Sequence, residues 1–116
     1  MNILDHHNDP AESCPAERLA RELNALAHPS RIQILRYLTQ ANGCCCKDVV
    51  GQFDLAQSTV SQHLKILVDA GFLLMQQDGQ RSRYVVNREA LRSLAAAVNG
   101  FVASAVACCQ DNEDQL

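Results

Sequence analysis

The stretch AQSTVSQHLKILVDAG (residues 56–71) decides how the rest of the chain is read. Val60, Leu64, Leu67 and Val68 fall at i, i+4, i+7 and i+8, which draws one apolar stripe along a helix. At about 100° per residue, Ser58, Gln62 and Lys65 lie on the opposite side, with Thr59 near them. Their hydroxyls, amide and ammonium suit base edges and phosphates, and Asp69 is the sole acid in the stretch. Gly71 follows as a C-terminal stop. An ordinary amphipathic surface helix would carry the same stripe, so the neighbouring segments decide.

Upstream, residues 47–53 predict a short helix with Val49, Val50 and Phe53 inward, and Asp54, Leu55 and Ala56 a tight turn. Two helices with a three-residue connection make a DNA-binding helix-turn-helix, with Gln57, Ser58, Thr59, Ser61, Gln62 and Lys65 as candidate DNA contacts. Downstream, residues 72–77 and 82–87 are strand-like and carry Leu73, Met75, Tyr84 and Val86. Asp78, Gly79 and Gln80 between them are a strong hairpin signal. Arg81 and Arg83 sit at its tip. A basic hairpin behind a recognition helix is a wing, suited to phosphates or the minor groove.

The flanks are helical. Residues 16–27 carry Leu19, Leu23 and Leu26, and Pro15 and Glu17 suit the first turn. A second helix opens at Pro29, takes its core face from Ile32, Ile34, Leu35 and Leu38, and breaks at Asn42 and Gly43. In residues 88–109, Leu91, Leu94, Val98, Phe101, Ala105 and Cys108 recur at 3, 4, 3, 4, 3, a narrow coiled-coil-like seam. With the first helix it suits a dimer interface. The fold class is therefore mainly α with a small β-hairpin: a winged helix-turn-helix, dimeric through its first and last helices. Residues 1–15 read as a flexible tail, 16–109 as the DNA-binding and dimerisation domain, and 110–116 as an acidic tail. His6 and His7 fall in the first of these and read as solvated.

At 116 residues and 47% hydrophobic content the chain is long and apolar enough for one folded domain. Net charge is −3, but both ends are acidic, and residues 57–88 carry Lys65, Arg81, Arg83 and Arg88 against Asp69 and Asp78. That distribution is compatible with a DNA-facing surface. No apolar run approaches the roughly 20 residues of a membrane span, and the N-terminus lacks a secretory pattern, so a cytoplasmic location is expected.

Six cysteines in such a chain read as a metal, metalloid or redox site rather than a disulfide framework. They fall at Cys14, at Cys44, Cys45 and Cys46, and at Cys108 and Cys109. The triplet reads as lying at a helix mouth beside Lys47, and both features favour thiolates. Three consecutive residues cannot all face one ion in a regular element, so two of them can cooperate and a third ligand comes from elsewhere. Cys108 and Cys109, of the same or a partner chain, are the leading candidates, followed by Cys14.

Taken together, LAHPSRIQILRYL (26–38), QSTVSQHLKILVDAGFL (57–73) and DGQRSRYVVN (78–87) resemble the ArsR/SmtB family of metal- and metalloid-sensing bacterial repressors. The resemblance covers about residues 17–106. It implies a homodimer on a palindromic double-stranded operator, released when a cation or thiol-reactive ligand binds. His63 belongs to the family's Ser-x-His-Leu pattern, and a structural or phosphate-contacting role fits it better than metal ligation. Ala56 stands where the family often has a capping Ser or Asn.

The zinc sensors of the family resemble one another in Asp/His and His/Glu pairs on the last helix. Here that helix has no His, and its sole acid is Glu89. The arsenical sensors carry Cys-x-Cys-x-x-Cys before the recognition helix. Cys45 falls on the first of these, while Lys47 and Val50 replace the other two. The expected inducer is trivalent arsenic (arsenite, with antimonite or methylarsenite as variants), bound by thiolates among Cys45, Cys46, Cys108 and Cys109, with Cys44 and then Cys14 as further candidates. A thiol-redox or sulfide-responsive repressor, or one responding to cadmium or lead, is the alternative on the same fold. No nucleophile with an acid–base partner is evident, so an enzyme is not expected, nor an organic cofactor.

Overall fold

The computed structural model describes residues 14–41 and 44–114, with the side chains of Cys44, Cys45 and residues 108–114 left out. His6, His7 and the Asn42–Gly43 break lie outside the described residues. Five helices and three strands follow in the order α1 (Pro15–Leu26), α2 (Pro29–Gln40), β1 (Cys44–Cys45), α3 (Cys46–Gln52), α4 (Gln57–Asp69), β2 (Leu73–Asp78), β3 (Arg81–Val86) and α5 (Arg88–Asp114). The sheet is antiparallel in the order β1-β3-β2.

The core sits where α2, α3, α4 and β2 converge. Ile34, Val49, Val60, Leu64, Leu67, Phe72 and Leu73 are fully buried there. The α4 stripe is broader than the sequence periodicity suggested, because His63 is buried alongside Val60, Leu64 and Leu67. Three apolar residues singled out by the sequence are exposed, and one of them, Ile32, was expected in the core. Ile32 is 45% exposed, since it lies about 200° around α2 from Ile34. Met75 is 49% exposed, two residues out along β2 from the buried Leu73. Leu23 is 42% exposed and lines an apolar groove between α1 and α5 with Leu19, Ala97, Gly100 and Phe101.

The two ends of α4 are finished differently. Its N-cap, Ala56, makes no side-chain hydrogen bond. A missing cap costs about 1 kcal/mol, and the four buried side chains of the helix offset it. At the other end Gly71 has φ 91°, its N–H bonds to Val68 O at 2.9 Å, and Phe72 N–H bonds to Leu67 O at 3.0 Å. That is a Schellman closure, which needs the left-handed residue that glycine supplies. Asn87 then ties this corner to α5: its Nδ2 donates to Gly71 O at 2.9 Å, and its Oδ1 accepts from Ala90 N–H at 3.3 Å. The connection between α3 and α4 has four residues, 53–56, rather than three. The hairpin loop is Gly79–Gln80, closed by the Asp78–Arg81 pair. With φ 67° at Gly79 and no positive φ at Gln80, it follows the type II′ pattern rather than the one an Asp-Gly centre would give.

The last helix runs on to Asp114, through most of the stretch expected as an acidic tail. Leu94 anchors it in the core, and Leu91 and Val98 pack partly against the same cluster. Beyond Val98 its described residues are exposed, Phe101 by 62%. By length and composition alone residues 88–107 could cross a membrane, which corrects the expectation that no stretch approaches that length. Small residues, alanine above all, raise the hydropathy of the segment without forming a run of large apolar side chains.

Candidate nucleic-acid interface and thiol cluster

All six residues expected to face DNA from α4 are exposed: Gln57, Ser58, Thr59, Ser61, Gln62 and Lys65. Ser58, Gln62 and Lys65 lie opposite the buried stripe with Thr59 near them, while Gln57, in the first turn, and Ser61 flank it. Lys65 also pairs with Asp69 one turn on at 3.4 Å; both side chains are well exposed, so the pair is worth little. On the wing, Arg81 is exposed at the loop and Arg83 is half-buried on β3.

His63 points the other way. Its Nδ1 accepts from Arg31 Nε at 3.2 Å, and its ring lies 4.6 Å from that of His28. Arg31 also donates to Asn24 O at 3.3 Å and Ala25 O at 3.2 Å, so it stitches the end of α1 to α4. His28 caps α2, its Nδ1 accepting from Ser30 N–H at 3.1 Å. Burial lowers the His63 pKa, and the nearby charges of His28 and Arg31 lower it further. A neutral imidazole held as an acceptor in the core is structural. That agrees with the preferred sequence reading and leaves the phosphate-contacting role aside. Neither Arg31 nor His28 was singled out by the sequence for this part, because their contact with His63 spans more than 30 residues.

The cysteines divide. Cys14 caps α1: its Sγ accepts from Glu17 N–H at 3.4 Å and lies 3.3 Å from Glu17 Oε1. Cys44 and Cys45 form β1 and pair with Tyr84 and Arg83 of β3. Of the triplet, then, only Cys46 opens the helix, and the expectation of three cysteines at a helix mouth is corrected: two belong to the sheet. Two residues are too short for any periodicity to announce a strand. Cys46 is half-buried, and its Sγ lies 3.4 Å from Ser61 Oγ on α4. It also adjoins Tyr84, whose pKa is raised by burial first and by the charge of Cys46 second. The side chains of Cys44, Cys45, Cys108 and Cys109 lie outside the described residues. Among the described residues no three His, Cys, Asp or Glu side chains converge.

The 44–46 segment therefore touches both elements that would hold DNA. It meets the recognition helix through Ser61, and the wing through the ladder of β1 with β3.

A buried-core helix-turn-helix, a polar outer face on its second helix and a hairpin beside it define a winged helix-turn-helix protein of the DNA-binding class. Residues 28–73 match the model of the arsR family of bacterial regulatory proteins. Two relatives span most of the chain. The arsenical resistance operon repressor of Bacillus subtilis (strain 168) is 31% identical over 86% of this chain and 89% of its own. A probable mercury resistance operon repressor of Streptomyces lividans is 31% identical over 78% and 74%. Among solved structures, the homodimeric winged helix-turn-helix domain Mb0332 of Mycobacterium bovis, a possible ArsR-family regulator, superposes with a TM-score of 0.63. It is 26% identical and covers 77% of this chain and 81% of that one. The chain belongs to the ArsR family of helix-turn-helix transcriptional regulators, a class of DNA-binding proteins and not of enzymes.

Proposed function

We propose that the chain is a homodimeric cytoplasmic repressor that sits on a palindromic operator and leaves it when trivalent arsenic binds cysteine thiolates. Gln57, Ser58, Thr59, Ser61, Gln62 and Lys65 enter the groove, and Arg81 and Arg83 hold the flanking backbone. One observation carries the reading: the thiol-rich segment 44–46 is in contact with the recognition helix and hydrogen-bonded to the wing, so a bond formed there acts on both. The chemistry supports it, since soft ions prefer thiolates. So does the relative named for arsenical resistance.

The dimer reading rests on α1 and α5. Their shared groove and the exposed Leu23, Phe101, Val102 and Val106 form an apolar surface that a second copy would cover. A protein of similar fold is a homodimer. The dimer also bears on the third ligand. Cys108 lies ten residues, about 15 Å, past Val98 along α5, and α5 packs on α1. Cys108 and Cys109, of the same chain or of a second copy, are the proposed source of that ligand.

Titrating the dimer–operator complex with arsenite, with fluorescence anisotropy as the readout, tests the function. Release in step with thiol occupancy is expected, and DNA that stays bound at full occupancy refutes it. A second reading has its own support: a relative is named for mercury resistance, so a soft divalent ion is the rival inducer, with cadmium and lead in the same class. Ultraviolet thiolate charge-transfer bands distinguish the ions. A disulfide found by intact mass after mild oxidation would favour the thiol-redox version instead.

A further inference from the structure

We propose that Arg31 is a positioning residue for operator binding: its guanidinium joins the end of α1, a helix of the proposed dimer interface, to the buried face of the recognition helix α4. It thereby sets how α4 stands to its counterpart in the second copy, and a proton on His63 opens the joint. The proposal rests on the operator-binding homodimer given above.

Arg31 meets three acceptors on two other helices. Its Nε donates to His63 Nδ1 at 3.2 Å, and one Nη donates to Asn24 O at 3.3 Å and to Ala25 O at 3.2 Å. The two carbonyls belong to the last turn of α1, where backbone oxygens have no partner in the α-helix and a cation is favoured. His63 is 7% exposed, on the inner face of α4 beside Val60, Leu64 and Leu67. A planar fork with fixed N–H directions constrains angle as well as distance. Among the described residues no carboxylate pairs with Arg31, so its charge faces neutral acceptors alone.

The joint depends on one lone pair. Guanidinium nitrogens only donate, so His63 Nδ1 is the acceptor and the neutral ring carries its proton on Nε2. A second proton on the ring takes the Nδ1 lone pair, turns one N–H against another and sets two cations side by side. The bond to α4 is then lost, while those to α1 remain. The charges that act on the His63 ring are those of His28, with its ring centroid 4.6 Å away, and Arg31; burial is the larger effect, and all three oppose the second proton. Glu22 and Asp69, the carboxylates of the groove between α1 and α4, pair with Arg18 and Lys65, and Arg21 lines the same groove. Arg36 on α2 and Lys47 and Asp48 on α3 are exposed. The operator-bound form needs the joint closed, so it takes the proton less readily than the free protein does. By linkage, operator affinity falls as pH drops through the His63 value, which lies below the ordinary 6.5. Exposed histidines have the opposite effect, because their protonation adds positive charge that attracts phosphates.

Wild type, Arg31→Ala and His63→Gln are compared on an operator duplex selected from random sequence by the wild-type dimer. The same Kd is measured on versions with one base pair added or removed at the centre, and on an unrelated duplex. The series runs from about pH 7.5 to about pH 5, which brackets the imidazole range, with circular dichroism and sedimentation confirming folded dimers at each pH. At the upper end Arg31→Ala is expected to bind the selected operator about tenfold more weakly, the scale of one hydrogen bond involving a charged group. It is expected to lose less on the unrelated duplex and to discriminate less between half-site spacings, since spacing reads the placement of the two recognition helices. Wild type is expected to lose about tenfold towards the acid end, by the same scale. His63→Gln keeps an acceptor that does not titrate, so it is expected to hold the operator and to lack the acid loss. The proposal is overturned if Arg31→Ala weakens both duplexes by one factor and keeps the wild-type spacing preference. It is equally overturned if His63→Gln and wild type share one pH profile, and that profile decides alone should Arg31→Ala not fold. If the wild type selects no operator, the operator-binding reading falls and the positioning role with it; if it does and the profiles coincide, the positioning role alone falls.

Discussion

The helix-turn-helix and the far half of α5 are built from similar apolar content but are finished differently. Around α4 every large apolar side chain on the stripe meets a partner within the same chain: Val60, Leu64 and Leu67 are fully buried, and Phe72 closes the end. Past Val98 none of the described side chains is buried, and Phe101, Val102 and Val106 are exposed. The first region can orient itself alone. The second leaves an apolar face that the proposed second copy would cover. On that proposal the protein separates a preformed DNA reader from a spacing device that sets how two readers stand relative to each other.

Substitutions can break that contrast. Phe72→Ala removes a fully buried ring from the helix-turn-helix and is expected to destabilise the protein by about 3–5 kcal/mol, measured by urea unfolding. Phe101→Asp touches no core residue of its own chain. It is expected to leave the fold intact, by circular dichroism, while weakening dimerisation by roughly 2–3 kcal/mol, the value of burying such a side chain. Sedimentation across a dilution series reads that shift. Equal effects of the two on the unfolding of dilute protein would erase the distinction between the regions.

The buried histidine sharpens the contrast by pH. His63 has a lowered pKa in the folded state, so the unfolded chain binds the proton more readily. Its contribution to stability is therefore complete above the ordinary imidazole value, about 6.5. It declines as pH falls from there to the folded value, and is flat below it. His63→Gln, which keeps an acceptor for Arg31 but does not titrate, is expected to flatten the slope of unfolding free energy against pH in that window. At the start of α4, Ala56→Ser supplies the missing cap and is expected to add about 1 kcal/mol, read as a higher urea midpoint.

The reader was legible in the sequence because its signals are local. The 60, 64, 67, 68 spacing, the glycine stop at 71 and the loop glycine at 79 each fix a structure from neighbours a few residues away. The proposed sensor segment was less legible because its contacts are not local. Cys46 meets Ser61 across 15 positions, and Cys44 and Cys45 pair with a strand about 40 positions on. The two-residue strand gives no period to read, so a helix mouth was the natural expectation for all three cysteines. His63 shows the same limit: its sequence context marked it as structural or phosphate-contacting rather than a metal ligand, but Arg31 and His28 became its partners only through packing.

The 44–46 thiols are proposed to release DNA by acting on α4 and the wing together. The most direct measurement is operator anisotropy during an arsenite titration, for wild type and for the combined Cys44→Ser, Cys45→Ser, Cys46→Ser variant. Arsenite is expected to release the wild type, and the variant to bind operator yet hold it at every arsenite concentration. Release of the variant at the same arsenite concentration as wild type would contradict it.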